Sequence, residues 1–464
     1  MKPKDPSFST DEDISYLDKP LWRLALPVMA SMTCSALYNL IDGMFVASVG
    51  EEALTAVTLA SPVQLAMIAL ATGTGVGITA SISRYQGEDD KGSAIRCRWG
   101  ALLLALAYFT LTLIFSLGGT EAFMDSVGAR DSVNDYGYAY LSLICRLSLG
   151  YYIEVASESI LLASGHSKLV MTSQLTGARL NVLLDFLLVP GMLGLPAMGV
   201  EGAALATITS QTIAALLSLA FNISSGFKPI EKAHRSISLC FAIASILRVG
   251  LPSTSIQLAS SISAVFLNSI LLGCSPECVA AYGAYLRIQS LFFMPVYGLA
   301  NALVPMVSYR FWSADNEGLR RIWRSALRIG IAIMGMACVV FWAFAPQLAI
   351  LFTLRPSSVE LYSIAFKALS TGLAFAAVCA LGNSVLQACG KAGLSLALTL
   401  IRLFGVMLPL AFVFAAIYGE QIVWWVPLVS DALFAAITVW AVHVCGGIKT
   451  PFLPAQTHTK AKNR

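Results

Sequence analysis

The hydrophobic residues of this chain occur in long runs separated by short polar segments. Each run is long enough to cross a lipid bilayer, which takes about 20 apolar residues. Strand-type alternation is absent, and backbone polar groups must find partners within the bilayer, so each run is predicted to be a helix. The pattern predicts twelve spans: 21–48, 54–82, 95–118, 136–163, 169–190, 199–222, 243–272, 278–306, 322–346, 361–388, 394–417 and 422–446.

Composition and charge narrow the class of protein. Of the 464 residues, 57% are hydrophobic and 12% are charged, which is about half the charge of an ordinary soluble domain. This excludes a soluble globular protein. The net charge of +4 gives no reason to expect nucleic acid as a partner. The first twenty residues contain no apolar core, so they are predicted to be a cytoplasmic tail and not a cleaved signal peptide.

The distribution of Lys and Arg predicts the orientation of the spans. If the N-terminus is cytoplasmic, 23 of the 30 cations lie in or beside cytoplasmic segments, whereas Arg130 and Arg355 lie in outer loops. The remaining five lie within spans. Because loops rich in Lys and Arg stay inside, both termini are predicted to be cytoplasmic in a bacterial plasma membrane.

The chain contains an internal repeat. Six helices separate equivalent points of the two halves, so both halves have the same orientation, which is typical of a parallel repeat. The sequence therefore predicts an all-α membrane protein of two six-helix lobes, at 21–222 and 243–446, with a cytoplasmic linker at 223–242 and tails at 1–20 and 447–464. A shift of about 225 residues aligns the halves, placing Arg23 on Arg248, Gln64 on Gln289, Gly73 on Gly298 and Ser159 on Ser384.

Polar residues of three spans are predicted to share one level of the membrane. Ionisable groups there are costly, so each is a functional candidate. Asp42, Asp185 and Thr207 lie roughly 9, 7.5 and 12 Å below the outer boundary at 1.5 Å per residue. Tyr38 and Asn181 lie one turn deeper on the same helix faces as the two acids. Such oxygen-bearing groups suit a proton or Na⁺, so the sequence predicts an ion site.

The intramembrane charges also admit structural interpretations. Each acid could instead pair with an arginine such as Arg179. Glu154 and Glu158, at i,i+4 spacing in the fourth span, are equally compatible with binding of a cationic substrate and with a buried ion pair. Asp431 is the clearest acid within the spans of the second lobe. Neither Cys nor His shows a metal-ligand spacing, and no phosphate-binding loop occurs, so we expect no cofactor, and transport, if that is the function, must draw on an ion gradient.

Two segments resemble a known family. The first, ARLNVLLDFLLVPGMLGLPAMGVEGAALAT, has an Asn-x-x-x-Asp in helix 5 followed by Gly-Val-x-Gly-Ala-Ala-x-Ala-Thr in helix 6. The second, LPVMASMTCSALYNLIDGMFVASVGEEAL, covers helix 1. The chain is similar over nearly its whole length to multidrug and toxic compound extrusion (MATE) transporters, of the bacterial DinF/MepA-like branch.

The resemblance implies an antiporter that exports organic cations or drugs in exchange for H⁺ or Na⁺. It also implies a bend in helix 1 at Pro27. Another branch of the family has an acid in helix 7, which is missing here. The ion-coupling network implied in the first lobe consists of Tyr38, Asp42, Asn181, Asp185 and Thr207.

Other functions remain as alternatives. A flippase for lipid-linked oligosaccharides or other lipids, from the same superfamily, would need an arginine-rich cavity to hold a pyrophosphate, and few cations lie within the spans. An integral-membrane enzyme would need a nucleophile, a metal cluster or a histidine-rich site, and none is visible. The expected partners are therefore small molecules and the bilayer, with no obligatory protein partner.

Overall fold

The structure, a computed structural model, describes most of the predicted spans. The predicted tails, Arg130 and most of the predicted linker lie outside the described residues. Within the described part the chain forms helices and turns, without a β-strand. The residues described are 20–126, 131–194, 196–225, 237–352 and 355–445.

Two successive groups of helices form the two lobes. The first lobe comprises α1 (Leu21–Val49), α2 (Glu51–Gly87), α3 (Lys91–Ser116), α4 (Gly119–Ser126), α5 (Asp131–Arg146), α6 (Leu149–Ala163), α7 (Ser167–Leu188) and α8 (Gly199–Ser224). The second comprises α9 (Leu239–Cys274), α10 (Pro276–Trp312), α11 (Asn316–Ile350), α12 (Pro356–Thr371), α13 (Leu373–Ala388), α14 (Ala392–Leu400), a π-helical segment (Ile401–Met407), α15 (Leu408–Tyr418), α16 (Glu420–Val423) and α17 (Val426–Cys445).

Fewer helices than predicted are long and apolar enough to span a membrane on their own. Among the described residues nine qualify, or up to ten if α12 and α13, which meet at a bend of 42°, form one span. The predicted span 136–163 is divided into α5 and α6, of 16 and 15 residues. The predicted span 169–190 is α7, whose inward face carries polar residues such as Asn181 and Asp185. The two other predicted spans, 136–163 and 169–190, correspond to the pair α5 and α6 and to α7, which do not meet this test of length and composition as single helices.

The turns between helices recur at the predicted offset. Helices α2 and α10 begin and end at equivalent positions of the repeat. Because a left-handed backbone is uncommon outside special turns, its recurrence is a sensitive test of a repeat. Three such pairs occur at the same offset: Asp89 and Ala314, Gly165 and Gly390, and Gly194 and Gly419. The two lobes thus repeat the backbone of their loops as well as their helices.

The same cap begins the third long helix of each lobe. The carboxylate of Asp90 accepts a hydrogen bond from the backbone N–H of Ser93 at 3.0 Å, and that of Asp315 accepts one from Gly318 at 2.8 Å. The Gly318 N–H, together with Arg310, holds the pKa of the Asp315 carboxyl below its usual value. Such caps satisfy N–H groups that have no partner within the helix, so they set where α3 and α11 start.

Glycines let the two lobes approach to backbone contact. A Cβ at Gly73 in α2 would lie 2.5 Å from the backbone nitrogen of Thr254 in α9. A Cβ at Gly298 in α10 would lie 2.6 Å from the Cα atom of Met29 in α1. Gly73 and Gly298 are equivalent positions of the repeat, and so are Met29 and Thr254. Each lobe therefore makes the same glycine contact with the other lobe. The lobe interface is therefore built around a pseudo-twofold axis.

The lobes are joined at the end of the bundle predicted to be cytoplasmic, here called the inner end. Ser308 donates a hydrogen bond to the carbonyl oxygen of Ala80 at 2.8 Å. The guanidinium of Arg84 lies 3.9 Å from the ring centroid of Trp312, a contact worth about 0.5–2 kcal/mol. Hydrogen bonds between described residues of the two lobes extend outward along α2 as far as Thr72.

Replacing Gly298 with Val should separate the lobes at the inner end, because the new side chain would occupy the backbone position of Met29. Overpacking of this kind costs about 1–3 kcal/mol, so the joined state should become about fivefold less populated or more. A reporter is oxidative cross-linking of Ser81→Cys to Ser245→Cys, whose hydroxyl oxygens are 3.5 Å apart. Gly283→Val, with no atom within 4 Å of its Cβ position, is the control. Equal cross-linking in both variants would contradict this account of the interface.

Candidate functional site

Two aspartates from different helices of the first lobe lie side by side. The carboxyl groups of Asp42 in α1 and Asp185 in α7 are within hydrogen-bonding reach of each other, and Asp185 is fully buried. No other described residue donates a hydrogen bond to Oδ1 of Asp42 or to either carboxyl oxygen of Asp185. Among the described residues neither acid pairs with a Lys or Arg, and Arg179 is exposed. Two such acids repel each other unless a proton or a cation lies between them.

A second layer of polar groups lies one helical turn closer to the inner end of the bundle. Asn181 is 2% exposed, and its Nδ2 donates to Thr207 Oγ1 at 3.4 Å. Its Oδ1 is buried without a donor among the described residues. Tyr38 in α1 interacts electrostatically with Asp42. The structure thus brings all five residues of the predicted ion site into the interior of one lobe.

Two further residues of this site were not predicted from the sequence. Tyr140 in α5 is buried and lies close enough to interact with both Asp42 and Asp185. Gln64 in α2 donates a hydrogen bond from Nε2 to the Tyr140 hydroxyl at 3.1 Å. The segment around Tyr140 contains three tyrosines, at alternate positions, and nothing in the sequence distinguishes the one that faces the acids.

The two glutamates of α6 lie inside the same lobe, against α7. Glu158 is 8% exposed, and its Oε2 accepts a hydrogen bond from Gln174 Nε2 at 2.7 Å. Its Oε1 is buried without a donor among the described residues. Glu154 faces Gly177, where a Cβ would lie 3.9 Å from Glu154 Oε1. The ion pair considered as an alternative for these glutamates is not present among the described residues.

Pro27 lies within α1, which continues from Leu21 to Val49. Proline has no N–H, so the carbonyl of Arg23, four residues earlier, lacks its intrahelical partner. This makes the turn around Pro27 the weakest part of the α1 backbone. Met29, which contacts Gly298 of the second lobe, lies two residues after Pro27.

The chain matches a family model in two separate stretches. The model, described as MatE, matches residues 27–187 and 252–413. The two matches begin at Pro27 and Pro252, which are equivalent positions of the repeat, and so fall on the two lobes. The chain belongs to the MatE family. It is therefore a multi-pass membrane transporter and not an enzyme.

The relatives of this MatE protein include multidrug transporters. It is 23% identical over 433 residues to a probable multidrug resistance protein NorM of Thermotoga maritima, covering 91% of each chain. It is 22% identical over 450 residues to the multidrug export protein MepA of Staphylococcus saprophyticus, covering 94% of this chain and 96% of the relative. A solved outward-facing conformation of a multidrug resistance MATE family transporter superposes with a TM-score of 0.88 at 28% identity, covering 95% of this chain and 99% of that chain.

The second lobe of this MatE protein neutralises its buried acid internally. Arg402, in the π-helical segment, contacts Asp431 of α17, with 2.5 Å between Nη1 and Oδ1. Both side chains are largely buried, at 19% and 10% exposure. Ser430 additionally donates to the carbonyl oxygen of Arg402 at 3.2 Å. No group of three or more His, Cys, Asp or Glu among the described residues is arranged to hold a metal ion.

Replacing Asp431 with Asn should strongly destabilise the second lobe, because Arg402 would remain buried without a counter-charge. Breaking a buried pair costs about 3–5 kcal/mol, whereas replacing both partners with apolar residues is often tolerated. We expect a lower melting temperature in detergent for Asp431→Asn and recovery in Arg402→Met/Asp431→Leu. Glu317→Gln removes the exposed pair with Arg321 and should have no effect. A melting temperature for Asp431→Asn equal to that control would refute a stabilising role.

Proposed function

We propose that this protein exports cationic amphiphilic organic compounds in exchange for H⁺ or Na⁺, and that the ion binds at Asp42 and Asp185. The observation that carries the proposal is the pair of adjacent carboxyl groups, Asp185 fully buried and Asp42 half-buried, with no Lys or Arg paired to either and no other described residue donating to Asp42 Oδ1 or to the Asp185 oxygens. Such a pair is stable when a proton or a small cation neutralises it. The folded lobe should therefore bind an ion at this pair.

The surroundings of the pair suit a small cation. Na⁺ and H⁺ are both held by oxygen, and Asn181 Oδ1 lies one turn below Asp185 without a donor among the described residues. Thr207 fixes the orientation of the Asn181 amide by accepting from its nitrogen, which leaves the amide oxygen available on the other side. In this proposal α1 and α7 contribute the oxygen ligands, and α8 orients one of them.

Helix α1 connects the ion site to the lobe interface. Asp42 and Met29 lie 13 positions apart on this helix, which is roughly 20 Å at 1.5 Å per residue. Met29 packs against Gly298 of the second lobe, and the turn at Pro27 beside it lacks a backbone hydrogen bond. An ion that draws Asp42 towards Asp185 would therefore move the segment of α1 that holds the lobes together. This supports coupling of ion binding to alternating access.

The arrangement with lobes joined at the inner end corresponds to an outward-facing state in this proposal. Ion binding from outside would lower substrate affinity, and the ion-loaded carrier would then turn inward. A membrane potential of 100 mV provides about 2.3 kcal/mol for each charge moved. The cytoplasmic position of both termini and the lobe boundaries at 21–222 and 243–446 belong to this proposal, as does a bacterial plasma membrane location.

The charges of the interior favour cationic cargo over an anionic lipid. A flippase of lipid pyrophosphates would need unpaired arginines facing the cleft, whereas Arg402 is neutralised by Asp431. The first lobe instead holds Asp42, Asp185 and two glutamates without cationic partners among the described residues. Negative potential of this kind attracts organic cations and repels phosphates.

Neutralising the acids should uncouple transport. We expect Asp42→Asn and Asp185→Asn each to lower gradient-driven efflux of ethidium from proteoliposomes by about tenfold or more, equivalent to about 1.4 kcal/mol of lost ion affinity. Separate H⁺ and Na⁺ gradients identify the ion. Glu121→Gln, an exposed residue of α4, is the control and should behave as wild type. Undiminished efflux in both aspartate variants would exclude these acids as the coupling site.

A further inference from the structure

The polar residues of α7 form one continuous face directed into the first lobe. Gln174, Gly177, Asn181 and Asp185 follow each other at helical spacing, over roughly 16 Å at 1.5 Å per residue. Gly177, Asn181 and Asp185 are buried, whereas Arg179 is exposed on another face. The face therefore links the level of the aspartate pair to that of the glutamates on α6.

A second pair of carboxyl groups, on α6, lies beside the inner end of this face. Glu154 and Glu158 interact with each other, one turn apart on α6. Gln174 orients Glu158 by donating to one of its oxygens. The other oxygen, Oε1, lies in the buried interior without a donor among the described residues. Like the aspartates, this pair requires a positive charge to be stable where it lies.

The space at Gly177, beside the half-buried Glu154, suits a proton and not an organic cation. Helices α6, α7 and α8 are packed tightly here, since a Cβ at Gly177 would lie 3.2 Å from the Cβ of Ala214 in α8 and 3.9 Å from Glu154 Oε1. Glu158 is 8% exposed. A drug-sized cation needs a pocket of about 300 Å³ or more, which contacts this close do not leave at Gly177.

Tyr38 lies one helical turn closer to the inner end than Asp42 on α1, and Glu154 packs at Gly177, one turn closer to that end than Asn181 on α7. The Tyr38 hydroxyl also interacts electrostatically with Asp42 and with both glutamates. Tyr151 of α6 also interacts with the glutamates, and α7 contributes the neutral side chains of Gln174 and Ser173 beside Glu158. No described Lys or Arg pairs with either glutamate. A hydroxyl can accept one proton while donating another, which makes Tyr38 a suitable bridge.

We propose that Glu154 and Glu158 form an inner proton site in series with Asp42 and Asp185. A proton held by the aspartates is passed to the oxygen of Tyr38, and the hydroxyl proton of Tyr38 passes to Glu154, so one proton moves inward and Tyr38 ends neutral. From the glutamates the proton leaves towards the inner end. This inference rests on the proposed antiport and additionally makes H⁺ the coupling ion.

The test compares two kinds of transport by full-length protein in proteoliposomes. Efflux of ethidium driven by a pH gradient requires proton passage. Exchange of labelled for unlabelled ethidium without a gradient requires substrate binding and lobe movement but no proton. We expect Glu154→Gln/Glu158→Gln and Tyr38→Phe to lower pH-driven efflux about tenfold while exchange stays within about twofold of wild type. Glu201→Gln, an exposed glutamate of α8, should leave both unchanged.

The other outcomes are distinguishable. Loss of exchange together with loss of ethidium affinity in the glutamate variant would make this a substrate site and overturn the proposal. Undiminished pH-driven efflux in that variant would also overturn it, while loss of efflux in Asp42→Asn would leave the proposed antiport intact. If the double variant fails to fold, Glu158→Asp, which keeps the carboxyl group, should retain pH-driven efflux and Glu158→Gln should not. Equal efflux by these two would overturn the proposal as well.

Discussion

Burying a carboxyl group inside a membrane protein costs several kcal/mol unless a positive charge or hydrogen-bond donors compensate it. The first lobe places Asp185 in full burial beside Asp42 and supplies neither to it from the described residues. The other features of this lobe follow from that constraint. Helix α7 directs its polar face inward, α1 packs alongside it, and the amide of Asn181 leaves an oxygen available. In the proposed mechanism an ion is therefore part of the stable state of the lobe.

The two lobes have the same backbone arrangement but differ in the charges they bury. Their helices and left-handed turns recur at equivalent positions of the repeat, yet Asp431 of the second lobe is held by Arg402 while the acids of the first are not paired. A neutralised lobe can act as a rigid body against which the other moves. In the proposed mechanism the contacts of Gly73 with Thr254 and of Gly298 with Met29 transmit changes at the ion site to the interface.

Much of the fold and part of the site could be predicted from the sequence. Depth along each span was enough to bring Asp42, Asp185 and Thr207 to one level, because helices have a fixed rise. Hydropathy predicted 136–163 as one span, because it does not register the break between α5 and α6. Tyr140 was missed because rotation of a helix about its axis depends on packing against neighbours. The partner of Asp431 likewise follows from contact between distant segments.

The central claim is that substrate and ion compete for one lobe that contains Asp42 and Asp185. The most direct measurement is the release of H⁺ or Na⁺ when ethidium is added to the purified protein in weakly buffered detergent solution. We expect release of the coupling ion by the wild type and none by Asp42→Asn/Asp185→Asn, although the variant still binds ethidium. Binding of ethidium to the wild type without release of either ion would contradict it.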